Sequence, residues 1–203
     1  MVSGHGRGTN MQAIIDACKD DRINGDVAVV VGVRSDAPAI ERAEASGIET
    51  VVLNPKEFDL AEDYDRDLLD TLQSHNIDLI CLAGYMRILG QNIIDAYRNR
   101  IMNTHPALIP SFCGKGMYGI HVHEAAISRG VKVSGCTVHL VNEEYDAGPI
   151  ILQTVVPVLD DDTPETLAAR ILPEEHKTYV RAIQLFAEGK LEIVGLKVKI
   201  RDQ

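Results

Sequence analysis

The segment Val27 to Val33 places seven apolar or small residues in a row with no polar residue between them. A run this short and unbroken matches a strand buried on both faces, the condition of an interior strand in a parallel sheet. A chain that buries both faces of a strand must supply a covering layer on each side, and helices alternating with strands do so. The flanking pattern agrees. Met11, Ile14, Ile15 and Cys18 recur at helical spacing after Asn10, Ala39 to Ser46 reads as a helix closed by Gly47, and Glu49 to Leu53 reads as a strand. Leu60 to Ser74 carries Leu68, Leu69 and Leu72 on one face, and Leu79 to Ala83 is the next buried strand. This rhythm predicts an α/β fold, a mostly parallel sheet flanked by helices with right-handed crossovers. After His105 a loop bearing Gly and Pro runs to Gly119, followed by a short helix over about Val122 to Ser128. Two longer strands, Lys132 to Val141 and Pro149 to Val158, flank Asn142 to Gly148 and predict a mixed or antiparallel C-terminal part. A last helix is expected from about Pro164 to Glu188, kinked or restarted at Pro173.

No repeat, low-complexity tract or linker interrupts residues 1–203, so a single domain is expected. Only Met1 and Val2 precede the first glycine loop, whereas a strand spanning a sheet needs about five residues. The first strand is therefore expected to be truncated, with the natural chain beginning upstream. The 203 residues are 45% hydrophobic and 25% charged, enough for one substantial core. A formal net charge of −10 argues against a duplex nucleic-acid binder. It also means that a phosphorylated substrate needs local cations or backbone N–H donors. No apolar run reaches the ~18 residues of a membrane span, and the N-terminus lacks the basic and apolar regions of a signal peptide. Cys18, Cys81, Cys113 and Cys136 lack paired metal spacing. Three read as core cysteines of a reducing cytosol, with Cys113 the one that could be exposed.

Two short motifs carry chemistry. Asn103-Thr104-His105-Pro106 follows a short apolar strand, and Asp146-Ala147-Gly148-Pro149 comes later in the chain. An Asn amide donates to a developing oxyanion, a His exchanges a proton near neutral pH, and an Asp fixes that His in one tautomer. The bland alternative is that both motifs hold ordinary turn residues at strand ends. Ser3-Gly4-His5-Gly6-Arg7-Gly8-Thr9-Asn10 precedes a helix whose first N–H groups can hold an anion. It also reads as a tight turn with Asn10 as the helix N-cap.

Asn103 to Pro110, preceded by Leu82-Ala83-Gly84-Tyr85-Met86-Arg87-Ile88-Leu89 and followed by Asp146 to Gln153, resembles the phosphoribosylglycinamide formyltransferase family. The N-terminal glycine loop and Glu174-Glu175-His176 stand in the same order, so the likeness spans nearly the whole chain. It implies a Rossmann-like formyltransferase fold and a cytoplasmic enzyme of purine biosynthesis. That enzyme would pass the formyl group of 10-formyltetrahydrofolate to the amine of glycinamide ribonucleotide, with no metal and no covalent intermediate. Asn103, His105 and Asp146 would be catalytic, with Asp146 raising the His105 pKa so that a protonated His105 shares the oxyanion with Asn103. Gly8, Thr9 and Asn10 would hold the phosphate and Glu175 the ribonucleotide. Met86, Arg87, Ile88 and Leu89 would border the pteridine pocket together with Asn103, Asn142, Glu143, Glu144, Tyr145 and Asp146. The carboxylates of Glu143 and Glu144 read better as a solvated turn, and Arg87 reads equally as a helix-end or ion-pair residue. His5-Gly6-Arg7 looks like an insertion in the family's loop, in which Arg7 is either a phosphate contact or a surface residue. Ser111 to Gly119 is longer than the common form, and reads equally as a flap over the ribonucleotide or as a plain surface loop.

The other histidines read blandly. His121 and His123 lack a third metal ligand, His75 and His139 look structural or exposed, and His5 and His176 stay unassigned near the substrate. A Cys113 nucleophile is discounted for want of an adjacent base. The nearest rival is formyltetrahydrofolate hydrolase, which resembles this chain in the same Asn, His and Asp. A methionyl-tRNA formyltransferase would need an RNA-binding extension after Leu191 to Ile200. A non-catalytic binding module is disfavoured by the intact trio. A homodimer stays open.

Overall fold

The computed structural model describes residues 1–2 and 6–201. Ser3, Gly4 and His5, the start of the expected phosphate loop, lie outside the described residues. The chain forms two compact units, Met1–Met102 and the residues from Asn103 onward.

The first unit has helices α1 (Thr9–Lys19), α2 (Pro38–Ala45), α3 (Ala61–Ser74) and α4 (Gln91–Ala96), with strands β1 (Val29–Gly32), β2 (Glu49–Val52) and β3 (Ile80–Leu82). β1 and β2 pair in parallel, Val29 opposite Glu49 through Gly32 opposite Val52. Val2 bridges in parallel to both Gly32 and Ala83, so the two residues before the glycine loop lie between the β1 and β3 lines. The Val2 N–H donates to the Val31 carbonyl at 2.9 Å, and the Ala83 N–H to the Met1 carbonyl at 2.9 Å. The core follows the helical spacing expected for α1: Met11 and Ile15 pack with Val2, Val30, Ala39, Ile40 and Ala43. α2 begins at Pro38, whose missing N–H costs nothing at a first helical position. It ends where Gly47, at φ 75°, lets its own N–H reach the Glu44 carbonyl and the Ile48 N–H reach Ala43.

In the second unit the strands run in the order β4 (Ile101–His105), β5 (Val133–Leu140), β6 (Ile150–Pro157), β8 (Lys197–Ile200) and β7 (Leu191–Val194). β5 and β6 are antiparallel from Val133 opposite Pro157 to Val138 opposite Leu152. A bulge then shifts the register, so that His139 faces Ile150. Gly135 permits the closest part of this pairing, since a β-carbon there would sit inside the Thr154 carbonyl oxygen. Helices α5 (Ile120–Arg129) and α6 (Pro164–Ala187) complete the unit. Ala126, Cys136, Val156, Leu167 and Ile171 form its inner cluster. α6 starts with Thr163 and Thr166 capping each other's N–H groups, and it continues through Pro173 as one helix. The expected restart at Pro173 is absent. The proline removes its own N–H bond and crowds the carbonyl four residues earlier, but buried residues on both sides, including Ile171, Glu175 and Tyr179, hold the helix together.

Several sequence-based expectations need revision. Asn103 and His105 are inside strand β4 rather than in a turn after it. Helix α4 and the β7–β8 hairpin, joined through Gly195-Leu196, were not anticipated. Of the cysteines expected in the core only Cys136 is buried; Cys18 and Cys81 are half-buried, as is Cys113.

Candidate active site

Strand alternation sends Asn103 and His105 to one face of β4 and Thr104 to the other. The shared face receives His139 from the bulged end of β5 and Asp146 from the loop after it. Asn103 Nδ2 donates to His139 Nε2 at 3.2 Å. His139 Nδ1 donates to the Leu140 carbonyl at 2.9 Å. His105 Nε2 donates to the Phe112 carbonyl at 2.8 Å, which leaves Nδ1 facing Asp146 Oδ2 at 3.8 Å. The same Oδ2 accepts the Gly114 N–H at 2.9 Å, while Oδ1 is 3.6 Å from His139 Nε2. Asp146 itself is at φ 52°, a left-handed conformation that Asp and Asn tolerate better than other side chains. The trio expected from sequence is therefore one cluster, and the structure adds His139 as its fourth member.

Sequence reasoning set His139 aside as a strand residue, yet it is buried at 2% exposure. Its only mark was its position just ahead of the Asp-bearing loop, and a bulge that re-aims a side chain leaves no trace in the hydrophobic pattern. Thr137 was also missed. Its hydroxyl donates to the Ala107 carbonyl at 2.7 Å and accepts the Ile109 N–H at 3.0 Å, while Gln153 Nε2 donates to both Thr137 and the Ile109 carbonyl at 3.0 Å. These bonds pin the backbone that leaves His105.

Burial sets the charge state of the cluster. It pushes the His105 pKa below 6.5, and the upward pull of the Phe112 carbonyl and of Asp146 does not reverse this. The elevated His105 pKa expected from the sequence is thus corrected: His105 is neutral at pH 7, because an imidazolium loses more hydration here than one carboxylate returns. Asp146 is also disfavoured by burial, but His139, the Gly114 N–H and His105 together hold it below the ordinary carboxylate value, so it is ionised. Burial and the nearby Asp146 raise the Cys113 thiol, and its Sγ donates to the Pro110 carbonyl at 3.3 Å. It is a packed thiol, not a thiolate nucleophile. The Phe112 carbonyl and Gly114 N–H also tie the loop after Pro110 to the cluster, so this part of it is anchored. Among the described residues no group of three or more His, Cys, Asp or Glu side chains could hold a metal ion.

Glu175 of α6, 8% exposed, accepts the Thr104 hydroxyl at 3.0 Å. It therefore meets β4 through the residue that points away from Asn103 and His105. In the loop 142–146, Asn142 Oδ1 accepts the Glu144 N–H at 3.2 Å, and Glu143, Glu144 and Tyr145 are exposed.

In the first unit, Gly8 at φ 71° caps α1, and no side chain caps it. Asn10 is thus not the N-cap but the second residue of the helix. Its Oδ1 is buried without a hydrogen-bond partner among the described residues. The first N–H groups of α1 have no intrahelical acceptor, so the helix start suits an anion. A β-carbon at Gly8 would collide with Ala39 of α2, so this glycine serves packing as well as any ligand. Arg7 is exposed. Met86, Arg87 and Ile88 are exposed in an irregular stretch after β3, while Leu89 is buried and can offer a ligand only its backbone. The Arg87 guanidinium rests 4.8 Å from the ring centre of Tyr64, a stacking contact, and its charge also acts on Asp65.

Residues 1–183 match the family model described as formyl transferase. The chain is 40% identical over 188 residues to a phosphoribosylglycinamide formyltransferase of Escherichia coli (strain K12), covering 93% of this chain and 86% of that protein. It is also 40% identical to the chloroplastic phosphoribosylglycinamide formyltransferase of Arabidopsis thaliana, over 92% of this chain; the match spans only 64% of that relative's length. The crystal structure of glycinamide ribonucleotide transformylase 1 from Symbiobacterium toebii superposes with a TM-score of 0.92 at 47% identity, over 99% of this chain and 92% of that one.

Proposed function

We propose, on the premise that the chain belongs to the formyl transferase family, that it transfers the formyl group of 10-formyltetrahydrofolate to the amine of glycinamide ribonucleotide, a step of purine biosynthesis in the cytoplasm. The observation that carries this reading is the cluster of buried His105 and His139 with half-buried Asn103 and Asp146, which pairs an oriented amide donor with a neutral imidazole and an ionised carboxylate.

Acyl transfer to an amine sets two tasks for these residues. Negative charge builds on the formyl oxygen as the amine adds to the carbon, and the second N–H of the Asn103 amide is the donor for it. The amine must also lose a proton. His105 enters the reaction neutral with its Nδ1 lone pair available, and accepts that proton beside Asp146, whose charge stabilises the imidazolium once formed. The imidazolium then returns the proton to the departing folate nitrogen. Gly8, Thr9 and Asn10 would take the substrate phosphate on the N–H groups of the helix start, supported by the unpaired N–H groups there. Glu175 would accept hydrogen bonds from the ribose hydroxyls. Met86, Arg87, Ile88 and Leu89, with Asn142, Glu143, Glu144, Tyr145 and Asp146, would border the pterin. Most of these side chains are exposed, so much of that recognition would fall to backbone groups.

Incubation with 10-formyltetrahydrofolate, with and without glycinamide ribonucleotide, tests the proposal. Formyl should appear on the amine only when the ribonucleotide is present, and deformylation of the folate alone should be negligible. Rapid formate release without ribonucleotide would make the chain a hydrolase instead.

A further inference from the structure

We propose that His139 is a positioning residue that sets the rotation of the Asn103 amide, accepting one of its N–H groups so that the other is left for the substrate oxygen. The inference rests on the transferase reading above, but its geometry stands independently. A histidine that donates from one ring nitrogen to a carbonyl carries, when neutral, a lone pair on the other. His139 Nδ1 lies 2.9 Å from the Leu140 carbonyl, an acceptor only, so the proton is on Nδ1 and Nε2 is the acceptor for Asn103 Nδ2 at 3.2 Å. The chain of contacts is directional: Leu140 carbonyl, Nδ1–H, Nε2 lone pair, Asn103 N–H. It fixes which end of a nearly symmetric amide faces outward.

The competing partner is Asp146, whose Oδ1 is 3.6 Å from the same Nε2. That is beyond hydrogen-bond length, whereas the contact with Asn103 is within it. His105, the other titratable group of the cluster, turns its own Nε2 to the Phe112 carbonyl. A proton on His139 Nε2 would point to Asp146 and leave Asn103 without its acceptor. The β-bulge between Val138 and His139 is what places the ring here, because regular alternation would continue the register of the preceding residues.

Two measurements test this. Long-range ¹H–¹⁵N correlation spectra of the full chain at pH 8 should show His139 neutral in the Nδ1–H tautomer; an Nε2–H tautomer or an imidazolium overturns the proposal. This result does not depend on turnover, so an inactive protein would count against the transferase reading and not against the hydrogen-bond frame. In the assay, His139→Leu should lower kcat by about tenfold or more with KM nearly unchanged, the scale of one well-placed bond in a buried network. His139→Gln, which restores an acceptor, should recover most of that loss. The effect must run mainly through Asn103, so His139→Leu should cost almost nothing further in an Asn103→Ala background, yet keep most of its cost in an Asp146→Asn background, where only the weaker contact with Asp146 is lost. Additivity with Asn103→Ala, or loss of kcat only through Asp146, would overturn the assignment.

Discussion

His105 shows how burial and charge compete at a single residue. Its pKa lies below 6.5 because desolvation outweighs both the Phe112 carbonyl and Asp146, so the neutral base persists at pH 7 and is lost only on the acid side. We expect kcat/KM to fall as pH drops through an apparent pKa under 6.5. Asp146 is one of the influences pulling that value up, so Asp146→Asn should move the acid limb to still lower pH while lowering kcat; a limb that stays in place would remove His105 from the pH dependence. His105→Ala should reduce turnover by at least ~10²-fold, the cost of losing one transition-state partner, with circular dichroism unchanged. A variant with near-normal turnover would exclude His105 from the chemistry. A bulky residue at Gly8 makes a poor probe of phosphate binding, because its β-carbon strikes Ala39 whether or not a ligand binds. Thr9 and Asn10 are better positions, and their alanine variants should raise KM for the ribonucleotide and leave that for the folate nearly unchanged.

At the level of elements, Gly148 is the tightest joint near the cluster. A β-carbon there would enter the space of the Leu140 carbonyl oxygen, the same oxygen that receives the His139 proton. Gly148→Ala should destabilise the protein by about 1–3 kcal/mol, and at roughly 2–4 °C per kcal/mol for a chain of this length the loss is readable in a melting curve. Pro173 offers the opposite change. It is exposed within α6, so Pro173→Ala returns an N–H to the helix and should stabilise the protein by about 1–2 kcal/mol after allowing for the freer unfolded chain, raising Tm. A fall in Tm would show that the ring itself packs. The elements readable in the sequence were those whose period stands alone: Val27 to Val33 gave β1, and the spacing of Met11, Ile14 and Ile15 gave α1, each within a few residues. The two apolar runs around Asn142 to Gly148 left antiparallel and mixed arrangements open, and β5 and β6 take the antiparallel one. α4 is six residues long with two buried isoleucines, too short for a helical period to repeat. His139 escaped because β5 is buried at nearly every position, so no alternation singles out one residue, and a bulge is a feature of pairing rather than of composition.

For the whole molecule, three buried or half-buried histidines act in one direction. Burial lowers His105, His123 and His176, the second helped by its neighbour His105. Each binds a proton more readily unfolded than folded, so the stability they contribute is present above 6.5 and declines as pH falls through their depressed folded values. Denaturant unfolding at pH 7.5, 6.5 and 5.5 should show a progressively lower midpoint over the acid half of that range. A midpoint that rises toward pH 5.5 would mean that the opposite contribution of His75, whose pKa is raised by the Thr71 carbonyl and Glu49, outweighs that of these three rings. The left-handed backbone at Asp146 has a different kind of consequence, for the variants that a population of such molecules would carry. Among the single-base changes open to an aspartate codon, those to asparagine and glycine are the ones that suit that backbone angle. Neither supplies a carboxylate. On the proposed mechanism, a lineage that acquires either change would keep folded protein at normal abundance with slowed turnover, a defect that protein quality control has no means to recognise.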